Sequence, residues 1–545
     1  MEKTILKICM QKGFLLDKEM LALLSSLDEE SAKQLIEGLS NLKIQERVIT
    51  KALFSRNIEN INKILVGGVG KTVIEQFFIN LGYCRTEIKE SAPVSKEKEY
   101  GKVKLITSPI VVAKKVSVSD FVKYYRARYE QMKSILQERE LENLSSLRKI
   151  GNKRESYTVI ASVFSKKLTK NKNLLLEVED PTGKCVVLVN QNKEELFKKA
   201  KDLLLDDIVA FSVVGDSSML FANDIIYPEA VISEKKKLDV EEWVAFTSDM
   251  HIGSKMFLEK NLLKFISWLN CEEGDEKQKE IARKIKYLFL VGDNIDGVGR
   301  YPTQEAFLTM KDSKVQYKRL AEILGSIRKD IKIIMCPGQH DSVWVGEPQP
   351  VIGEEWAPDL HKLENLTLVP NPSLVEIDGN FRVLMYHGAS MNTFIEEIED
   401  LRLTNAHDHP TRVAKEILKR RHLAPVHGSV DYVPNETEDP LVIKYIPDIF
   451  ATGDQHKADI GVYNNILLIA SSCWQSITPF EEKVGNHPDP CKVPLLNLKT
   501  REIKILDFSD NETESKFANV SGEKVGVQQV QQQNITVSAS AEVKK

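Results

Sequence analysis

From Glu241 onward the chain repeats one pattern: an apolar run of strand length, a loop rich in Gly, Asp and His, and then, in several repeats, a stretch with helical periodicity. The runs are EEWVAFTSDMH, KYLFLVGDN, IKIIMCPGQHD, FRVLMYHGAS, PDIFATGDQHK and NNILLIASSCW. Strands alternating with helices predict an α/β sandwich of sheets flanked by helices over residues 240–508. Nearly every run also ends in a side chain able to bind a metal. The ends are Ser248-Asp249-Met250-His251, Gly292-Asp293-Asn294, Gly338-Gln339-His340-Asp341, Tyr386-His387-Gly388 and Gly453-Asp454-Gln455-His456. A centre with two ions roughly 3.5–4 Å apart needs a carboxylate that reaches both, with nitrogen and oxygen ligands around them. Glycines beside the ligands let backbone and substrate approach closely. A lone histidine in a loop is usually a surface residue; five such motifs in order, each at a strand end, are not accounted for that way. The other six histidines, His361, His407, His409, His422, His427 and His487, fit no ligand position and are read as structural or exposed.

Asp and His spaced by two, a lone Asp after Gly, an amide beside a His, a lone His and a Gly-x-x-His resemble, in order and spacing, the signature of calcineurin-like metallophosphoesterases. The resemblance implies that Asp249, His251 and His456 hold a first ion, that Asp293 bridges, and that Gln339, His387 and Asp454 hold a second. It also implies that His340 contacts the scissile phosphate and assists the leaving oxygen without binding metal. Two positions depart from the usual pattern: the amide is commonly Asn and here is Gln339, and the penultimate ligand is commonly His and here is Asp454. An added carboxylate and the lack of cysteine ligands favour Mn, or Mg, over Zn.

Ahead of this domain the period changes to two, in ESYTVIASVFS, NLLLEVED, KCVVLVN, DDIVAFSVVGD and MLFANDIIYP, with a helical insert, NKEELFKKAKDLL, before the fourth. Five strands with that insert match an OB-fold over 155–232, a small barrel often used to bind single strands. A charged helical connector is expected over 119–154 and a Lys/Glu/Ser linker over 81–118. A small helical domain is expected over 1–80 and a disordered tail over 509–545. The fold class is therefore multidomain α+β. An OB-fold before the catalytic domain, and the stretches SDMHIGS, VGDNIDGVG, MCPGQHD, YHGAS, LKRRHLAPVHG, PDIFATGDQH and ITPFEEKVGNHPDPCKVPLLNL, resemble the small subunits of archaeal family-D DNA polymerases. That family implies a 3′–5′ exonuclease with two divalent ions, a large polymerising subunit as partner, a single-stranded DNA 3′ end as substrate, and a sliding clamp as a further candidate partner. Two alternatives stay open: a non-catalytic scaffold, with Gln339 and Asp454 as marks of decay, and a free-standing phosphatase.

The net charge of -4 supplies no overall basic field, so contact with DNA must be local. The cluster Lys419-Arg420-Arg421 is the candidate for DNA phosphates, set against a solvated face. Val66–Thr72 imitates a phosphate-binding loop, but the first glycine of that motif would fall at Leu65, and a helix-linking turn is the better reading. Seven cysteines without a CxxC pair indicate neither a disulfide framework nor a cysteine zinc site. No signal-peptide pattern or apolar span is present, so a cytosolic protein away from membranes is expected.

Overall fold

The computed structural model describes residues 101–107, 116–378 and 380–510, together with Cys9, Phe14, Leu15–Leu16 and Val48–Ile49. The chain divides into two compact units, Met1–Glu97 and Lys98–Lys545. In the first, Leu15–Leu16 pairs in parallel with Val48–Ile49. The rest of the helical domain expected there, the Val66–Thr72 segment, most of the 81–118 linker and the tail beyond Asp510 lie outside the described residues.

Strands of the second unit are numbered from its start. The sandwich joins two six-stranded sheets. One contains β7 (Trp243–Thr247), β8 (Ile285–Val291), β9 (Lys332–Cys336), β10 (Leu366–Leu368), β16 (Lys492–Asn497) and β17 (Ile503–Asp507), in the order β10-β9-β8-β7-β16-β17. The other contains β1 (Val103–Thr107), β11 (Ser373–Ile377), β12 (Phe381–Met385), β13 (Ile449–Thr452), β14 (Ala458–Tyr463) and β15 (Ile466–Ser471), in the order β14-β15-β13-β12-β11-β1. The strands β7, β8, β9 and β10 run parallel in the first sheet, as do β12, β13 and β15 in the second. Apart from β10 at the sheet edge, each is buried along almost its whole length, which is why these segments read as continuous apolar runs. Between the sheets Val244, Phe246, Phe289, Ile334, Val383 and Ile449 form the central core. The rings of Phe246 and Phe289 stack across neighbouring strands at 5.2 Å. Helices Glu259–Leu269 and Ser313–Gly325 cover the outer face of the first sheet, and Met391–Glu397 and Pro410–Arg420 that of the second.

The five strands β2 (Glu155–Leu168), β3 (Leu174–Asp180), β4 (Gly183–Val189), β5 (Ile208–Asp216) and β6 (Met219–Ile226) close a barrel in the order β2-β3-β4-β6-β5. The helix Glu194–Lys201 sits between β4 and β5 in the chain. Inward positions alternate as the sequence period requires, with Val159, Val163, Leu176, Val178, Val187, Phe211 and Leu220 in the core.

Two expectations need correction. The linker over 81–118 contains β1, which pairs antiparallel with β11 at the edge of the second sheet. An edge strand buries little, so the short V-K-L-I-T alternation suffices: Val103 meets the inter-sheet core and Ile106 the helical layer, while Leu105 faces solvent. The basic cluster at 419–421 is likewise turned inward. Arg420 is 2% exposed and bonds Asp207 of the barrel at 3.0 Å and Glu416 at 2.5 Å. Arg421 is 3% exposed and donates to the carbonyls of Ile443 and Lys444. Lys419 pairs with Glu416 and lies over the Tyr227 ring. The cluster therefore joins barrel to sandwich and does not present itself to a phosphate backbone. Leu204 and Ala230 from the barrel side enter the same apolar cluster as Phe394 and Ile417. The helix Val118–Gln137 adds a buried pair, Arg128 Nε to Asp439 Oδ2 at 2.5 Å. The six described cysteines are free thiols, and no helix among the described residues is long and apolar enough to cross a membrane.

Candidate metal centre

All five motifs meet at the carboxyl ends of β7, β8, β9, β12 and β13, where a parallel sheet leaves its loops free to gather around a ligand. The strands β7, β8 and β13 each end two residues before a position that turns the backbone. Asp249, His251, Asp293, Asp454 and His456 all have φ between 46° and 66°, a left-handed conformation uncommon for residues with a side chain. Such conformations persist where the surrounding packing over-determines them, and they cluster at functional sites. Two glycines make the crowding possible. A side chain at Gly338 would fall 2.2 Å from Asp293 Oδ1, and one at Gly292 would fall 2.3 Å from His387 Nδ1.

The predicted residues converge. His456 Nε2 lies 3.4 Å from Asp249 Oδ1 and 3.3 Å from His251 Nε2. His387 Nε2 lies 3.2 Å from Asp293 Oδ2 and 3.8 Å from Asp249 Oδ1. His251 Nε2 stands 3.9 Å from both carboxylates, so Asp249 as well as Asp293 reaches both halves of the centre. Gln339 Nε2 donates to Asp454 Oδ1 at 3.3 Å. Asp249, His251 and His456 could hold one ion and Asp249, Asp293 and His387 a second, while His251, Asp296 and His340 form a third candidate group and Asp454 belongs to none of them.

The outer nitrogens decide which way the histidines point. His251 Nδ1 is held by Asp296 at 3.1 Å, His456 Nδ1 by Glu481 at 2.8 Å and His387 Nδ1 by the Val291 carbonyl at 2.7 Å. Each anchor is an acceptor, so each ring carries a proton on Nδ1 and turns Nε2 into the centre. The donor set then fits divalent ions. Asp249 Oδ1, His387 Nε2 and Gln339 Oε1 are buried without a hydrogen-bond partner, which is costly unless a cation takes the place of one. Electrostatics agree. Burial pulls the His387 imidazole down, but Asp293 and Asp249 outweigh it and hold it well above its ordinary value. Burial opposes ionisation of Asp293, yet His387 and His340 hold its carboxyl below the usual range. The cluster is a negative field that selects a positive occupant.

His340 is placed differently. Its Nδ1 donates to the Asp296 carbonyl at 2.8 Å, its backbone N–H donates to Asp293 Oδ1 at 2.8 Å, and its ring stands edge-on to His251 at 4.8 Å. It is only half-buried and lies beside the centre.

Curated proteins resemble most of the chain. The DNA polymerase II small subunit of Methanothermobacter thermautotrophicus is 36% identical over 393 residues, covering 72% of this chain and 80% of that protein. The protein of the same name from Archaeoglobus fulgidus is 34% identical over 471 residues, covering 85% and 94%. The chain belongs to the DNA polymerase II small-subunit family. Residues 244–460 also match the family of B subunits of DNA polymerases alpha and epsilon. Among solved structures, a protein titled a novel archaeal phosphodiesterase aligns with 48% of this chain and 98% of its own at 14% identity and a TM-score of 0.24. Vacuolar protein sorting 29 from Cryptosporidium parvum aligns with 49% and 90% at 16% identity and the same score.

In this member of the small-subunit family, three supporting residues escape a reading of motifs alone. Asp296 anchors both His251 and His340; Glu481 anchors His456 from 25 residues downstream. Asp341 is fully buried and accepts from the Gly338 N–H, the Asn294 N–H and side chain, and Tyr317, tying the second and third motifs together. Glu481 had a local signal, since Thr478-Pro-Phe-Glu481 forms a capping box that opens the helix Pro479–Val484. Of the histidines set aside, His422 is buried on Asp439, and His407 bonds Gln455 beside the centre.

Proposed function

We propose that the chain is the metal-dependent 3′–5′ exonuclease subunit of an archaeal family-D DNA polymerase, hydrolysing phosphodiester bonds at a frayed single-stranded 3′ end for a large polymerising subunit. The observation that carries this reading is that Asp249 Oδ1 lies 3.4 Å from His456 Nε2 and 3.8 Å from His387 Nε2 while Asp249 Oδ1, His387 Nε2 and Gln339 Oε1 are all buried without a hydrogen-bond partner. The sandwich is read as calcineurin-like and the barrel as an OB-fold, its 1-2-3-5-4 strand order closed by the parallel β4–β6 pair. Asp249, His251 and His456 would hold one ion and Gln339, His387 and Asp454 the other, with Asp293 between them, and oxygen-rich donors favour Mn or Mg. Two such ions neutralise phosphate charge and lower the pKa of water to provide a nucleophile at neutral pH. The chain's own residues do the rest. Asp296 keeps the Nδ1 proton of His340 engaged, which leaves Nε2 to contact the scissile phosphate and serve the leaving oxygen. The barrel is fused to the sandwich through Asp207–Arg420 and can guide a single strand toward Asp249 and Asp293. A large subunit, and through it a sliding clamp, would dock on this one body, in the cytoplasm where the chromosome is copied.

The test is degradation of labelled single-stranded DNA by the chain alone and with its large subunit, with Mn and after chelation. Mn-dependent release of 3′ nucleotides is expected, and a chelated protein that works at the untreated rate would sink the two-metal reading. The hydrogen bond between Gln339 and Asp454 favours one rival, a scaffold whose second half has decayed. That rival predicts no turnover with any metal or partner.

A further inference from the structure

Asp293 begins a loop that ends in the short helical turn Gln304–Phe307, and it carries one exposed aromatic side chain beside His340. Tyr301 is 40% exposed, and its ring centroid lies 6.3 Å from that of His340, tilted 61° from it. Exposed tyrosines are ordinary; this one is set apart by its neighbour and by how firmly its loop is held. Gly297 N donates to Gln316 Oε1 at 2.9 Å, and Gln304 Nε2 donates to the Asp296 carbonyl at 2.8 Å and to its Oδ2 at 3.0 Å. The Arg300 N–H bonds Gln304 Oε1 at 2.8 Å, and the Arg300 guanidinium donates to the Asp341 carbonyl. The same Asp296 that orients His340 therefore also fixes the loop bearing Tyr301.

We propose that Tyr301 is the stacking wall for one base of the DNA strand, the base of the nucleoside whose 3′ oxygen leaves beside His340. The assignment rests on the exonuclease reading above. In that reaction a water oxygen adds to phosphorus, the bond from phosphorus to the 3′ oxygen breaks, and the leaving oxygen takes up a proton. The leaving oxygen belongs to the penultimate nucleoside of the strand being trimmed, so its base, and not the terminal one, sits on the His340 side. A phenol ring on a loop already held in place offers a face that every base can use, which suits an enzyme that must accept any sequence. It also explains why the site would prefer nucleic acid to a small phosphate ester, since the ester has no base to place on the ring.

The experiment uses the full chain, loaded with Mn, and three oligonucleotides: one complete, one abasic at the terminal position and one abasic at the penultimate position. Tyr301→Ala is expected to lower kcat/KM roughly 5- to 100-fold, the range that stacking on one base provides, on the complete and terminal-abasic strands. It should change little on the penultimate-abasic strand, and Tyr301→Phe and Tyr301→Trp should keep the wild-type rate. A loss that follows the terminal base, a loss equal on all three strands, or no loss overturns the proposal. An equilibrium titration with 2-aminopurine at the penultimate position separates this from a failure of the exonuclease reading. Even if the wild type cleaves nothing, fluorescence quenching present in it and absent in Tyr301→Ala supports the stacking wall, and equal quenching in both overturns it.

Discussion

In the half of the centre formed by His251 and His456, each imidazole is backed by a carboxylate; in the half formed by His387, the backing is the neutral Val291 carbonyl. Burial works against ionisation of Asp296 and Glu481, but the facing imidazoles outweigh it and hold both carboxyls below their ordinary range. Another buried acid that feels the His387 charge, Glu347, accepts from the Tyr386 hydroxyl at 3.0 Å, and burial pushes its carboxyl up to about 8. The second half also carries both departures from the usual ligand pattern, Gln339 and Asp454, joined by their own hydrogen bond. An ionised acceptor behind a ligand raises its basicity, so on the two-ion reading proposed above the first half would hold its ion tightly and the second more loosely.

The broadest way to break this comparison is to remove what the halves share. Asp293→Ala should lose Mn from both halves and lower DNA hydrolysis by more than about 1000-fold, as loss of several kcal/mol of charge stabilisation requires. Equilibrium dialysis beside a nuclease assay checks it, and a variant with full metal content would contradict the shared role. His340→Ala should keep its metal and lose roughly 100-fold or more in kcat, the contribution of a positioned acid. Parallel loss of metal would move His340 into the ligand set.

Sharpening comes from the backing groups. Glu481→Gln should weaken the tighter Mn site roughly 10- to 100-fold, while Glu347→Gln should leave it within about twofold. Titration of both variants followed by manganese resonance decides this, and equal weakening would erase the distinction between the halves. The smallest effect concerns pH. The folded-state pKa of Glu347 is raised from 4.5 to about 8, so its contribution to stability is fully present below 4.5 and is lost as pH rises through about 8. Glu347→Gln should remove that loss, so the variant should gain on the wild type in denaturation midpoint between pH 5 and pH 9. A constant difference across that range would show that the carboxyl is ionised in the fold.

The five motifs were legible because metal chemistry restricts both the residue types and their position, and a parallel strand that must be buried throughout announces itself as an apolar run ending in Asp or His. The barrel was legible for a similar reason, since each strand alternates and the helical insert marks the fourth. The anchors were not. Asp296 and Glu481 stand 45 and 25 residues from the histidines they orient, and acids at such separations carry no periodic signal. Lys419-Arg420-Arg421 read as a basic surface because a charge run says nothing about the element packed against it. Only the docked barrel, bringing Asp207 to within 3.0 Å, turned Arg420 into a buried ion pair.

The amino-acid sequence by itself determined the succession of the barrel strands and of the buried parallel strands along the chain, and the Asp and His residues at their ends, because each of these is set within a few residues by side-chain periodicity and by donor chemistry. The tertiary structure alone decided which nitrogen of each histidine faces the centre, that β1 completes the second sheet, and that Tyr301 stands beside His340. These depend on contacts between segments tens to hundreds of residues apart, whose formation is governed by packing and buried hydrogen bonding and leaves no local pattern to read.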